Sequence, residues 1–407
     1  MKVNEDRRNW QKNFFIVWSG QGVSIFTSAI LQMAMVWYLT EQTKSALILT
    51  TATLIGYLPQ VILGPFVGVL IDKYHRKYVM MISDLCIMLV SLLLVVFGRD
   101  GQVPVGIILF IMFARSVGAS FHNPSLQAVT PMLVPKEGLT RYAGVSQSIE
   151  SISMLLSPGA AALLFSFMEL NQLVLIDVAG ALFAVLTLWK ASIPKLPKEE
   201  KGEPQSLIRE AGAGLAVIRS VPGLSGLILV SALYAIIYFP IGTLFPLISM
   251  NYFNGSFQVS GIVETVFSVG MLCGSVVLGI AADRISKPKA VTFAIGLYGA
   301  GLLATGLLPP SGIKVFIGLS FVMGVSIPFY RGVKLAMIQA KVEKQYLGRV
   351  LSLTTSLQSL AMPVGLILAG AFVEVMGVNR WFLLSGVLSL VLAGVSSGMA
   401  SFKAFED

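Results

Sequence analysis

Charged side chains are scarce in this sequence. Asp, Glu, Lys and Arg make up 12% of the 407 residues, about half the share that a soluble globular domain carries. Apolar runs recur from Phe14 to Ala400, and no hydrophilic stretch is long enough to form a separate folded domain. The composition therefore argues against a soluble enzyme and indicates a polytopic membrane protein.

Cysteine and histidine are also rare, with two of each. Cys86 and Cys273 lie far apart within apolar segments, so the sequence supports neither a disulfide framework nor a CxxC metal site. No metal-ligand cluster or nucleophile–base pair is visible in the apolar runs, so we expect no cofactor and no enzymatic activity. A GxxxxGK[ST] loop is absent as well, which leaves an ion gradient rather than ATP as the energy source within this polypeptide.

Twelve apolar runs have the length of roughly 20 residues that a helix needs to cross the hydrocarbon of a bilayer. Their expected limits are 14–38, 46–71, 78–97, 104–121, 142–165, 171–190, 224–249, 259–282, 289–308, 314–330, 350–373 and 380–401. The one long hydrophilic interval opens with prolines and a Lys/Glu run and then reads as an amphipathic helix. We expect an all-α membrane protein with an N-terminal six-helix bundle (1–190), a cytoplasmic linker (191–223) and a C-terminal six-helix bundle (224–407).

Lys and Arg are distributed unevenly between the two sides of these spans. With the N-terminus inside, 24 of the 29 lie on the cytoplasmic side and four in outer loops. The positive-inside rule then predicts that both termini are cytoplasmic. The net charge of +9 follows from this topology, and without a basic patch among exposed aromatics we expect no nucleic-acid partner.

The two halves repeat each other at an offset near 210 residues. GVLIDKYHRK, which begins at Gly68, is echoed by GIAADRISKPK, which begins at Gly279, and Arg141 maps onto Arg349 at an offset of 208. A duplicated six-span unit is typical of transporters that hold their solute near the membrane midplane and alternate access by rocking one half against the other. The repeat therefore favours transport over catalysis.

The loop between spans two and three resembles the signature loop of the major facilitator superfamily, with His75 in place of the usual glycine before the RK pair. The resemblance implies the superfamily's fold, twelve transmembrane helices in two pseudo-symmetric bundles. Carboxylates and cations that pair in one conformer and separate in the other would make these loops a conformational switch. The residues of the switch are Gly68, Asp72, Arg76, Lys77 and, in the second copy, Gly279, Asp283 and Arg284. Asp84 is expected to pair with the first cluster. Arg141 and Arg349 are expected to bind the acidic loop residues or, alternatively, to act as topogenic charges.

Segments along nearly the whole chain are similar to the macrolide efflux (Mef) permeases of Gram-positive bacteria, among them GQGVSIFTSAILQMAMVWYLTEQT, FHNPSLQAVTPMLVP and KQYLGRVLSLT. The resemblance implies proton-coupled export of macrolides or similar bulky amphiphilic drugs across the bacterial cell membrane, by a chain that works as a monomer. Two other interpretations stay open: a transporter of another substrate class, such as a siderophore or a lipid-like solute, and a membrane sensor that transports nothing.

Two charged residues lie within the expected spans, Arg115 in span four and Glu150 in span five. Neighbouring spans could place them side by side, so that Glu150 takes up a proton when the pair opens and releases it when the pair closes. A permanent structural ion pair is the alternative. Asp177 is expected to be structural, and His122 is interpreted as a polar helix terminus, with a proton relay as its alternative.

A polar stripe on span one, together with amides, tyrosines and methionines on three other spans, suits a bulky and mostly apolar solute. Side chains of these types also hold helices together in membranes, which is the alternative. The candidate substrate residues are Gln21, Ser24, Ser28, Gln32, Gln147, Met154, Tyr234, Tyr238, Gln358 and Met362.

The predicted orientation can be tested with reporter fusions. Green fluorescent protein fused to the C-terminus should fluoresce and alkaline phosphatase fused there should be inactive, because the distribution of Lys and Arg keeps both ends in the cytoplasm. Fusion after Arg99, in an expected outer loop, should give the reverse pattern. An active phosphatase at the C-terminus would reject this topology.

Overall fold

The computed structural model describes residues 2–71, 74–98, 102–135, 138–194, 215–281 and 286–399. These residues are helical apart from short connections, and no strand occurs among them. The chain divides into two compact units. Unit 1 consists of Met1–Gln42 and Ala52–Glu199, and unit 2 of Thr43–Thr51 and Glu200–Asp407.

Thirteen α-helices account for most of the described residues, and twelve spans among them are long and apolar enough to cross a membrane. The N-terminal helices are α1 (Lys2–Thr43), α2 (Ala46–Ile71), α3 (Arg76–Ser91), α4 (Leu93–Phe97), α5 (Val105–Leu133), α6 (Leu139–Phe165) and α7 (Leu170–Lys190). The C-terminal helices are α8 (Leu224–Leu247), continued by a π-helix (Ile248–Tyr252), α9 (Phe257–Ala281), α10 (Lys287–Leu307), α11 (Ile313–Lys341), α12 (Lys344–Met376) and α13 (Val378–Gly398). Helices α3 and α4 together form the third span, so the twelve predicted spans are confirmed.

Two predicted span ends were wrong. Helix α5 continues to Leu133 rather than ending at 121, and α11 continues to Lys341 rather than ending at 330. The sequence criterion stopped at the first polar residues, but a helix continues past the hydrocarbon wherever water or protein contacts its polar face. Prolines within both helices do not end them, because neighbouring helices and side chains satisfy the freed backbone groups.

The expected linker lies mostly outside the described residues, which resume at 215. Residues 215–220 are helical, so part of the predicted amphipathic helix is present. The predicted loop residues Asp72, Asp283 and Arg284 also lie outside the described residues, as do the side chains of Arg141 and Arg349.

Unit 1 has an aromatic and aliphatic core at one end of its helices. Phe14 and Trp18 of α1 pack with Leu126 of α5 and Leu188 of α7. The indole nitrogen of Trp18 donates a hydrogen bond of 3.1 Å to Thr130 Oγ1, so the buried indole is paired. This contact fixes the angle of α1 against α5 in two ways, by apolar packing and by a directed hydrogen bond.

Unit 2 contains a close helix–helix contact that depends on glycine. Gly270 and Gly274 of α9 and Gly324 of α11 face the opposing backbone, and a Cβ at any of the three would clash with a carbonyl oxygen of the other helix. Small residues four apart let transmembrane helices approach to backbone contact. Helices α9 and α11 therefore pack as one closely joined pair.

Apolar side chains cover the outside of both units. Phe66, Ile280 and Val375 expose 72%, 75% and 87% of their surface. A soluble protein does not leave so many large apolar side chains in water, whereas a bilayer accommodates them without cost. The outer surface is that of a membrane protein.

Candidate functional site

A buried ion pair lies among the helices of unit 1. Arg115 Nη1 of α5 is 2.6 Å from Asp177 Oδ2 of α7, and the two side chains expose 9% and 1% of their surface. Asp177 Oδ1 accepts a hydrogen bond of 2.6 Å from Ser28 Oγ of α1, and Arg115 also donates to Ser91 Oγ of α3. The pair therefore joins four helices and satisfies both oxygens of the carboxylate.

The predicted partnership of Arg115 with Glu150 is wrong, because Arg115 is already paired with Asp177. Glu150 of α6 is half-buried, and no hydrogen bond or ion pair joins it to a described residue. Asp177 has the structural role expected of it, yet it lies within α7 and not at a water-exposed end. A carboxylate in a span without a protein partner can exchange a proton with water that reaches it.

A second polar cluster in unit 1 contains Asp84, His122 and Gln21. His122 Nε2 of α5 is 3.2 Å from Asp84 Oδ1 of α3, and both side chains are buried. Gln21 Nε2 of α1 donates to Asp84 Oδ2 at 3.4 Å. Asp84 is thus the partner of His122 and Gln21 and not of the loop cations, and His122 lies within a helix rather than at its terminus.

Lys77 and Arg76, the described cations of the switch loop, contact residues other than Asp84. Lys77 Nζ donates to the backbone oxygens of Trp189, in the last turn of α7, and of Ala191, its C-cap residue, both at 2.9 Å. Helix C-termini present unpaired carbonyls and a negative dipole end, so a lysine there is favourable. Arg76 contacts the sulfur of Met132 at 3.2 Å among its interactions. Gly68 and Gly279 both lie within helices, in α2 and α9.

The structure separates the predicted substrate residues of unit 1 into two groups. Gln21, Ser24 and Ser28 lie against other helices, and Gln21 and Ser28 bind buried carboxylates. These contacts correspond to the alternative in which the stripe holds helices together. The remaining candidates of unit 1 have exposed side chains, Gln32 on α1 and Gln147 and Met154 on α6.

Unit 2 contains a cavity of about 260 Å³ between α8, α11 and α12. Three predicted substrate residues line it, Tyr234 and Tyr238 of α8 and Gln358 of α12, whereas Met362 is buried and does not line it. The ring centroids of Tyr234 and Tyr238 are 5.8 Å apart, and the Gln358 amide nitrogen is 3.5 Å from the hydroxyl of Tyr330. The wall is therefore aromatic with few amides, as an amphiphilic ligand requires.

Sequence reasoning missed two cations at this cavity, Arg331 and Lys334 of α11. It assigned them to a cytoplasmic loop because the predicted span stopped at 330. Their spacing of three residues was the available signal for a shared site, since residues three apart lie on the same face of a helix. The hydropathy criterion concealed it, because it ended the predicted span at the first charge.

Comparison with known proteins identifies close relatives. The family model described as transmembrane secretion effector matches residues 9–407. The chain is 46% identical over 389 residues to "Macrolide efflux protein A" of Streptococcus pyogenes, covering 96% of each chain. It is 45% identical over 322 residues to the protein of that name from Enterococcus faecalis, covering 79% of this chain and 99% of the relative.

Solved structures share the fold at low sequence identity. The nucleoside transporter NupG superposes with a TM-score of 0.75 at 13% identity, over 95% of this chain and 98% of the other. Identity this low supports the fold alone.

The pairing of Arg115 with Asp177 predicts a large stability effect. Arg115→Gln would leave Asp177 buried without its counter-ion, so we expect the free energy of unfolding to fall by about 3–5 kcal/mol. Asp177→Asn should destabilise comparably, and the double variant should recover part of the loss because neither charge remains. Thermal unfolding of the purified protein in detergent measures all three. Glu150→Gln is the comparison and should unfold close to the wild type; equal destabilisation there would contradict the pairing described above.

Proposed function

Because the chain belongs to the transmembrane secretion effector family of the major facilitator superfamily, we propose that it exports macrolide antibiotics or similar bulky amphiphilic drugs in exchange for protons. The observation that carries the substrate class is the 46% identity to a macrolide efflux protein over 96% of both chains. The aligned region includes both units rather than one of them. Coverage of both units supports transport of the same kind.

We further propose that export proceeds by alternating access across the bacterial cell membrane, with one chain as the working unit. The division of the chain into two compact units supports a cycle in which each moves as a body. In this proposal Asp72 would pair with Arg349, and Asp283 with Arg141, in one state, and both pairs would separate in the other. Both termini remain on the cytoplasmic side in this proposal.

We propose candidate drug-binding residues in each unit, taken by itself, and those of unit 2 line its aromatic cavity. Tyr234, Tyr238 and Gln358 supply flat apolar faces and one amide, a combination that accommodates varied amphiphiles. On unit 1, Gln147 and Met154 are available because their side chains are exposed. Methionine adapts its shape to a ligand at little cost.

Glu150 is the carboxylate that we propose carries the proton. Its side chain is half-buried in a membrane-spanning helix and has no partner among the described residues. An unpaired carboxylate can be protonated from the outer side and release the proton to the cytoplasm, whereas Asp177 is held by Arg115. Arg115 would then position α5 and α7 and take no part in proton transfer.

The pair formed by Asp84 and His122 is the rival site for coupling. It is buried, and it joins a carboxylate to the one type of side chain that titrates near neutral pH without perturbation. Opening of the pair would change the affinity of both groups for protons. The two candidates lie on different helices, so substitutions can separate them.

Export can be tested in a bacterial host that lacks its own drug pumps. Expression of the chain should raise macrolide tolerance several-fold and lower the accumulation of radiolabelled macrolide, and an uncoupler should abolish both effects. Asp72→Asn, expressed at the same level, should lose the effect because it removes the proposed switch. Unchanged macrolide tolerance together with depletion of a different solute would contradict the substrate assignment.

Coupling can be tested in proteoliposomes with an imposed pH gradient. Glu150→Gln should bind drug like the wild type and lose transport driven by the gradient, because the amide cannot carry a proton. Glu169→Gln makes the same change at the exposed start of α7 and should transport normally. Full coupled transport in Glu150→Gln, with loss in Asp84→Asn and His122→Gln, would move the proton site to the rival pair.

A further inference from the structure

The cavity of unit 2 is lined by two positively charged side chains that drug export does not explain. Arg331 and Lys334 lie one helical turn apart on α11. Arg331 Cζ is 5.6 Å from the ring centroid of Tyr238, and Lys334 Nζ is 5.0 Å from that of Tyr330. Both cations therefore lie over aromatic faces at the cavity wall.

Neither cation has an anionic partner in the described part of the chain. The lining of the cavity contains no Asp or Glu, and neither side chain forms an ion pair or donates a hydrogen bond to a described residue. A ring face attracts a cation through its quadrupole, but it does not replace the oxygen acceptors that a guanidinium fork and an ammonium group require. Their N–H donors remain available to a ligand.

An independent observation concerns Tyr234. Its side chain is 1% exposed and lines the same cavity, and its hydroxyl has no hydrogen-bond partner among the described residues. Its ring centroid is 4.5 Å from that of Tyr330, the residue over which Lys334 lies. Buried hydroxyls are almost always paired, because an unpaired one loses its hydration without compensation. A ligand oxygen would accept this hydrogen bond.

The remainder of the lining is mostly apolar, and Thr354 and Thr355 add two hydroxyl groups to it. Its apolar members are Ala235, Phe239, Leu335, Ile338 and Leu351. A volume of about 260 Å³ lies just below the range that is typical of small-molecule pockets, roughly 300–1,000 Å³. The cavity thus has room for a charged head group with a short apolar or aromatic body.

The positive-inside rule alone does not account for the positions of Arg331 and Lys334 at this cavity. Arg331 and Lys334 lie roughly 15 and 10 Å before the end of α11, where the positive-inside rule also favours cations. A topogenic cation serves from any face of the helix and extends towards water. Arg331 is itself exposed and Lys334 is partly buried, but the two share one face, at an aromatic cavity with an unpaired buried hydroxyl.

We propose that the cavity of unit 2 binds an anionic amphiphile, whose carboxylate or phosphate group lies between Arg331 and Lys334 and accepts a hydrogen bond from Tyr234. Arginine binds the two oxygens of such a group side by side, and the ammonium group adds a second positive charge. The apolar body of the ligand packs against the tyrosines and the aliphatic wall.

This ligand class differs from the drugs of the proposed function. Two cations repel a protonated amine, so a macrolide could contact the tyrosines of this cavity only through its uncharged parts, and the position between Arg331 and Lys334 selects for an anion. The inference does not rest on macrolide export, since it follows from the lining of one cavity. Direct binding of a ligand tests the anion site, whereas drug accumulation in cells tests export, so the two proposals can fail separately.

The experiment uses the full-length protein in a neutral detergent with three fluorescent probes of equal length. These are dansylglycine, its uncharged methyl ester and the primary amine dansylethylenediamine, which all have a short aromatic body. The acid should bind the wild type at least about tenfold more tightly than the ester, and the amine should bind most weakly, because two charge-assisted contacts are gained or opposed. Equal affinity for acid and ester would overturn the proposal.

Variants locate the site. Arg331→Gln combined with Lys334→Gln should weaken binding of the acid by about tenfold or more and leave the ester nearly unchanged. Lys314→Gln combined with Arg380→Gln removes the same charge from exposed positions of unit 2 and should leave both affinities unchanged. Retention of acid binding in the first double variant would overturn the assignment.

Tyr234→Phe keeps the ring and removes only the hydroxyl, so this variant should fold even if the double variant does not. It should weaken binding of the acid several-fold and leave the ester unchanged, with thermal unfolding as the check on folding. Equal loss for both probes would overturn the role of the hydroxyl.

Competition distinguishes a lipid head group from a free acid. Displacement of the acid probe by short-chain phosphatidylglycerol assigns the site to a lipid head group, and displacement by decanoate alone assigns it to a free carboxylate. Either result supports an anion site, and failure of both competitors to displace the probe overturns it.

Discussion

A guanidinium and a carboxylate buried together in unit 1 constrain the arrangement of its helices. Arg115 and Asp177 cannot be separated within the bundle without leaving a charge in an apolar surrounding, a penalty larger than that of most single contacts. Their further bonds to Ser28 and Ser91 extend the constraint to two more helices. Much of the polar surface of α1 is therefore used inside the unit and is not available to a solute.

The two units differ in the distribution of their charges. At the repeat offset of 208 residues, Arg115 corresponds to Met323 and Glu150 to Gln358. Unit 1 pairs its buried charges with one another, whereas the cations of unit 2 lie over tyrosine rings at a cavity. Positions matched by the predicted repeat thus differ in chemistry, so coupling and ligand recognition need not be divided evenly between the halves.

The fold could be predicted from the sequence, but the pairing of the buried charged side chains could not. Runs of about 20 apolar residues report burial in lipid directly, so the number of spans and most of their limits could be predicted. Which charged side chains pair depends on the rotation of each helix about its axis. A single sequence carries little information about that rotation. Arg115 could be recognised as a buried charge, but the choice between Glu150 and Asp177 depends on which face of α5 meets α7. Arg331 and Lys334 were missed for a different reason, since the hydropathy criterion treats a charge as the end of a span although α11 continues for ten residues beyond Arg331.

The ion pair of unit 1 also bears on how the protein is made. Its members are 62 residues apart in the chain, so the fourth span enters the bilayer during synthesis with a cation whose partner has yet to be inserted. A lone arginine at the centre of a span costs about 2.5–3.5 kcal/mol on insertion scales. Integration of the fourth span should therefore be completed only when the sixth arrives, which makes the three spans from α5 to α7 a single step of biogenesis.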